Sequence, residues 1–219
     1  MHPEPTFHSL IREELAHIVR ALSPVETFFH NPELFAAFET LLAHRGLSIR
    51  RIAVLGSDPG LDAYSVALTL AAFWRHTPPS FHVLGLLLVD EDVAVARRGV
   101  YPAGTLPHPV PQNILPWIAR HRNPHIPLVR LRPEIRWRVR FRHLPWPCAI
   151  RLREPVDLLW CRGLFSLFVP PLGLRLLEET TRIVRPGGFV ITDIDEVASP
   201  AVRSIHKWVY QKTTSRSFP

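Results

Sequence analysis

The chain is short of cysteine, lysine and long apolar runs, and each shortage excludes something. Two cysteines, Cys148 and Cys161, in 219 residues supply neither a disulfide framework nor a CxxC metal motif, and they suit a reducing, cytoplasmic setting. The longest apolar stretches, such as that over 83–89, are far too short to cross a bilayer. The opening Met1-His2-Pro3-Glu4-Pro5 does not lead through basic residues into an apolar core, so no secretion signal is expected. Lysine occurs only at 207 and 212. The net charge of +7 therefore rests on arginine, which is dispersed along the chain rather than gathered. With 23 prolines alongside, this reads as compositional bias, and neither nucleic acid nor membrane is expected as a partner. Internal repeats are also missing.

What is present suits one α/β domain with a full core: 47% of the residues are hydrophobic. Leu10, Ile11, Leu15, Ile18, Val19 and Leu22 recur at helical spacing, which predicts an amphipathic helix over about 7–22, ended by Ser23-Pro24. Asn31-Pro32-Glu33 is a helix start, with Asn as N-cap, Pro in the first turn and an acid near the positive end. Leu34, Phe35, Phe38, Leu41 and Leu42 form its apolar face, and Gly46 is the expected stop. Residues 1–46 are thus an N-terminal helical segment, and 47–219 the main domain.

From Ile49 strands and helices alternate. Strands are expected at Ile52–Leu55, Phe81–Leu88, Val156–Cys161, Phe189–Thr192 and Trp208–Tyr210. Helices are expected after Gly60, at Asp90–Arg98 with Gly99 as terminator, and at Pro171–Arg185. The proline-rich stretch 102–133 offers one short helix near Gln112–Arg120. Over 136–142 arginine alternates strictly with apolar residues, as in a half-exposed strand at a sheet edge. Such alternation predicts a doubly wound, mainly parallel sheet.

Sheets of this class bind ligands beyond the carboxyl ends of the strands, where the strand order reverses. The turn Gly56-Ser57-Asp58-Pro59-Gly60 falls at such an end, and glycine there lets backbone approach a ligand. With its flanks, Val54–Ala67 resembles the S-adenosylmethionine (SAM) loop of the chemotaxis-receptor, CheR-type, protein-glutamate methyltransferases. Further stretches are similar to that family in the same order. Glu26–Glu33 looks like its cofactor-covering Thr-x-Phe-Phe-Arg segment, and Ala96–Pro102 like the end of the helix after its second strand. Val129–Phe141 resembles its run into the third strand, Asp157–Gly163 its Asp-x-Ile-x-Cys-Arg-Asn strand, Arg185–Gly188 its late turn and Val209–Lys212 its last strand. The resemblance covers about 10–212. It implies a class I SAM-methyltransferase, Rossmann-like fold with a short N-terminal helical extension in place of the family's larger helical domain.

The resemblance also implies an activity, methyl transfer from SAM to glutamate side chains of chemoreceptors, and a set of cofactor contacts. SAM carries a sulfonium, a ribose diol, an adenine and an amino-acid end, and so calls for acids and amides. Position by position, the covering threonine falls on Glu26 beside Thr27, and the covering arginine on His30. The first loop glutamate falls on Leu61 and the second on Asp62. The ribose-binding aspartate falls on Leu87, the Asn-Leu pair after the third strand on Pro145-Trp146, the fourth-strand Arg-Asn on Arg162-Gly163, and the tyrosine near the methyl group on Leu167. The retained cofactor-binding candidates are His30, Gly56, Ser57, Gly60, Asp62, Asp90, Arg162 and Gly163. Asp90 reaches the ribose only with a three-residue shift, and otherwise favours the helix N-terminus; Asp62 either meets the ligand or caps its helix. Glu26 either accepts from the ligand's amino group or is a solvated loop acid.

So many losses predict a degenerate member that binds SAM weakly or not at all and acts as a non-catalytic binding or regulatory protein. Its partner would be a chemoreceptor or another signalling protein. The alternative is an active protein carboxyl methyltransferase with a rearranged pocket. There a substrate carboxylate would attack the methyl in line, with no strong base and with Arg162 or His30 orienting groups; no catalytic residue is assigned. Other clusters have plainer readings. The acids of Thr192–Glu196 form a loop rather than a metal site, and His108, His121 and His125 lie on the surface rather than on zinc. The arginines of 136–142 guard a sheet edge or hold an acidic partner. Phe28 and Phe29 cover a ligand or plug the N-terminal helix to the sheet.

Overall fold

The computed structural model describes residues 27–44, 48–56, 58–74, 80–144, 150–168, 170–194, 197 and 199–213. The expected helix over 7–22 lies outside them, as do Glu26, Gly46, Ser57, Pro145-Trp146, Cys148 and Asp195-Glu196.

The first helix, α1 (Pro32–Ala43), starts as its sequence dictates: the Asn31 side chain accepts from the Leu34 N–H at 3.1 Å, with Pro32 in the first turn. Strand β1 (Arg51–Gly56) and helix α2 (Leu61–Phe73) follow, then β2 (His82–Leu87) and α3 (Asp90–Arg98). Gly99 ends α3 in the left-handed conformation, φ 60°.

The proline-rich stretch holds no helix at 112–120. It folds into β3 (Val100–Pro102), β4 (Ile118–Arg120) and β5 (Leu128–Leu131), an antiparallel sheet in the order β3-β5-β4. Pro116, inside the expected helix, has no N–H to give the carbonyl of Gln112 and its ring crowds that carbonyl, and only a 3-10 turn, Leu115–Trp117, precedes β4. A single helical turn, α4 (Pro133–Arg136), then leads into β6 (Val139–His143). The edge strand thus begins three residues later than the arginine alternation suggests, because Pro133 starts a helical turn that takes up the first arginine.

The rest is β7 (Val156–Cys161), α5 (Pro170–Thr181), β8 (Val184–Thr192), β9 (Val202–His206) and β10 (Val209–Lys212). Helix α5 stops at Thr181 rather than Arg185, and β8 already includes Pro186-Gly187-Gly188, absorbed by a register shift against β7. Trp208 belongs to the β9–β10 turn, with φ 65°.

Seven strands form one sheet in the order β6-β2-β1-β7-β8-β10-β9. Neighbours from β6 to β8 run parallel, and β10 is antiparallel to both of its neighbours. This is the doubly wound, mainly parallel sheet that the alternation of elements predicts. Side-chain alternation gives it two faces. Ile52 and Val54 join Trp160, α1 and α2 in one core, while Ala53, Leu55, Leu159 and Leu177 form the other. Phe35 and Phe38 bracket Trp160 with ring centroids at 4.6 and 5.7 Å, so α1 shares a core with the sheet. Among the described residues no helix is long and apolar enough to cross a membrane.

Candidate functional site

The strand order reverses between β1 and β7, which opens a crevice beyond the carboxyl ends of these two strands. Four segments reach it: 58–60 after β1, 162–163 after β7, 193 after β8, and the covering segment 27–30.

The loop after β1 folds inward. Asp58 is 3% exposed; its Oδ1 accepts from the Asp62 N–H at 3.3 Å. Its Oδ2 lies 2.9 Å from where a Cβ on Gly56 would stand, so the carboxylate is folded back over the end of β1. Burial, then the negative charge of Asp62, push the Asp58 carboxyl up to about 7, against the pull of Arg162 and two backbone N–H groups. Gly60 has φ 94°, and a Cβ there would come within 2.7 Å of Ala96 Cβ and 2.9 Å of the Phe141 ring. Its lack of a side chain lets α2 start tight against α3 and β6.

Asp62, in the first turn of α2, is 1% exposed and tied to Arg162 at the end of β7. Arg162 Nε donates to Asp62 Oδ2 at 2.9 Å and Nη2 to Oδ1 at 3.3 Å. Gly163, next along, has φ 67° with nothing within 4 Å of a built Cβ, and its N–H donates to Asp193 Oδ2 at 2.9 Å. Burial raises the Asp193 carboxyl, opposed chiefly by that bond. Its other oxygen, Oδ1, is buried and has no hydrogen-bond partner among the described residues.

The covering segment is pinned at two points. Phe28 N–H donates to Thr105 O at 2.8 Å, with its ring edge-on to Tyr101 at 5.3 Å. Phe29, at φ 56°, donates its N–H to Ser65 Oγ at 3.0 Å and packs on Phe35 at 5.1 Å. Phe28 thus ties the segment to β3 and the turn after it, and Phe29 ties it to α1 and α2. His30 comes within electrostatic reach of Asp62 and Arg162. Burial first, then the Arg162 charge, lower its pKa, and Asp62 opposes them.

The structure thus gathers His30, Asp62, Arg162 and Gly163 at one crevice and adds Asp58 and Asp193, which the sequence reading does not single out as ligand groups. A polar residue between two loop glycines, and an acid one step past a strand end, were the available signals. The aliphatic positions are also plain. Leu87 ends β2 in register with Gly56 and is 2% exposed, and Leu61 is buried in the core. Asp90 is the exposed first residue of α3. For SAM the fit divides by group: the buried carboxylates of Asp58 and Asp193 suit the ammonium of its amino-acid end, whereas Leu87 presents no acceptor to a ribose diol.

Comparison with known proteins bears on the same region. Residues 25–206 match the family described as CheR methyltransferase, SAM binding domain. The chemotaxis protein methyltransferase 2 of Pseudomonas aeruginosa is 31% identical over 185 residues, covering 78% of this chain and 61% of that protein. The chemotaxis protein methyltransferase of Escherichia coli is 26% identical over 147 residues, covering 67% and 51%. The probable biofilm formation methyltransferase WspC of P. aeruginosa is 28% identical over 185 residues, covering 80% and 42%. The chain therefore spans about half to three fifths of the length of the first two relatives. Among solved structures, the SAM-bound amino pentose methyltransferase CalS10 of Micromonospora echinaspora superposes with TM-score 0.43 at 16% identity, covering 82% of this chain and 54% of that one. The strand order, not this likeness, carries the fold assignment.

Proposed function

The chain belongs to the CheR methyltransferase family, whose matched domain binds SAM, and from that membership we propose that it is a degenerate member with a weakened cofactor grip. In this reading it acts in the cytoplasm as a binding or regulatory protein for a signalling partner, by analogy with relatives named for chemotaxis. Leu87 carries the proposal. It stands at the tip of β2, one strand from the crevice, where the resemblance puts the ribose-binding acid. The internal pairing of Asp62 with Arg162 and the burial of Leu61 support it. Each hydrogen bond lost to a polar or charged ligand group costs about 1.5–3 kcal/mol. Three or four such losses amount to about 4 kcal/mol or more, at least about a thousandfold in affinity. Calorimetric titration with SAM tests this: a dissociation constant near millimolar is expected, and one in the low micromolar range overturns the reading.

One observation favours a second reading, an active carboxyl methyltransferase. Asp58 and the orphan oxygen of Asp193 bring two carboxyl groups to the crevice besides Asp62. When bound, SAM supplies an electrophilic methyl group. In this reading Gly163 and Asp193 hold the cofactor's amino-acid end, and His30 excludes water from above the Asp62–Arg162 pair. Transfer of labelled methyl groups to a receptor fragment would establish it.

A further inference from the structure

The open edge of the large sheet carries a feature that the cofactor crevice does not use. β6 is the terminal strand, and a cleft of about 500 Å³ straddles its edge beside β2, α3 and α4. Arg97, Arg136, Arg140 and Arg142 line it, and no acidic residue does. None of the four pairs with a carboxylate among the described residues. Two are pre-set by backbone: Arg97 Nη2 donates to Phe141 O and Arg136 Nη2 to Arg97 O, each at 3.1 Å. Arg140 and Arg142 are exposed and share one side of the strand, about 7 Å apart. Trp137 lines the same cleft with 79% of its surface exposed.

We propose that this cleft docks an extended acidic segment of a partner protein, its carboxylates held by the four guanidinium groups and an apolar side chain laid on Trp137. Guarding an edge against chain pairing requires only charge. It accounts neither for a solvent-facing indole nor for guanidinium groups already fixed by carbonyls, whereas Trp and Arg together are the usual anchors of protein interfaces, and guanidinium forks match carboxylates in pairs. The backbone argues for a polypeptide over a nucleic acid. Val83 N–H donates to Arg138 O and Leu144 N–H to Leu87 O, so the even-numbered residues of this segment face β2. Val139, Phe141 and His143 then turn their peptide groups outward; the Phe141 carbonyl is held by Arg97, and the peptide groups of Val139 and His143 are left for another chain's backbone to complement. Single-stranded nucleic acid uses successive stacking platforms along a groove, and this cleft has one. The proposal holds whether or not the crevice binds SAM.

The test uses the full chain and a fluorescein-labelled decapeptide of alternating glutamate and leucine, followed by anisotropy. Saturable binding is expected. R140E/R142E should weaken it about tenfold or more and Trp137→Ala at least about threefold, both with unchanged circular dichroism. Charge reversal at the opposite sheet edge, R203E/K207E, should leave it unchanged. Absence of saturable binding, or an equal loss in the opposite-edge variant, overturns the proposal. So does tighter, competing binding by a ten-nucleotide oligothymidylate, which would make the cleft a nucleic-acid site.

Discussion

Arg162 and Asp62, one hundred positions apart in the chain, meet through two hydrogen bonds at 2.9 and 3.3 Å and clamp the start of α2 to the end of β7. Both are almost wholly buried, so neither charge can be stranded cheaply. Arg162→Leu should cost about 3–5 kcal/mol in denaturant unfolding, and D62L/R162L less than either single change, because breaking one side of a buried pair leaves the other uncompensated. Additive losses in the double variant would show that the pair does not act as a unit.

The position of Leu87 makes a gain-of-function prediction. Leu87→Asp should tighten SAM binding about tenfold or more by calorimetry, since it restores an acceptor at the end of β2. If affinity instead falls on Asp90→Asn in the wild-type chain, the ribose is held from α3.

Asp58 should leave a signature in the pH dependence of stability. Its folded-state carboxyl, at about 7, lies above the ordinary value of 3.8. Between those values the native state holds the extra proton, so stability from this group falls as pH rises from about 4 to 7 and is flat beyond. His30 acts in the opposite sense: its lowered pKa makes acid destabilising below about pH 6.5. Comparing melting temperatures of wild type and Asp58→Asn across pH 5–8 isolates the first contribution; the variant should lose the downward slope.

At the other end of the sheet Asp157 accepts from the Arg50 and Arg51 N–H groups, each at 2.8 Å, and from Arg185 Nε at 2.7 Å. Burial alone would raise its pKa, but these bonds outweigh it and the net shift is downward. The stabilisation is therefore complete above about pH 4 and lost as pH falls through the lowered folded-state value. Asp157→Asn should cost about 2 kcal/mol at neutral pH and blunt the acid transition followed by circular dichroism.

Two glycines separate packing from backbone strain. Gly60→Ala meets Ala96 and Phe141 at under 3 Å as well as an unfavourable φ, while Gly163→Ala meets the φ alone. The first should lose more than about 2 kcal/mol, the second about 1, by urea titration.

Local chemistry by itself determined much of this protein. Asn31-Pro32 started α1, Gly99 ended α3, and apolar runs placed the parallel strands, because capping, left-handed backbone and side-chain period act over a few residues. The ordered motifs likewise put Arg162, Gly163, Asp62 and His30 near one another. Tertiary structure alone decided the rest. Between 100 and 131 the chain pairs with itself across long loops, and β9 gains its strand only by lying beside β10, so neither has a strong local pattern. No spacing rule could tell that Asp62 would be taken by Arg162, or that Asp58 would turn back over Gly56 and be buried. Burial and ion pairing depend on which distant segments close over a group, and that is fixed when the strands assemble, not when each one forms.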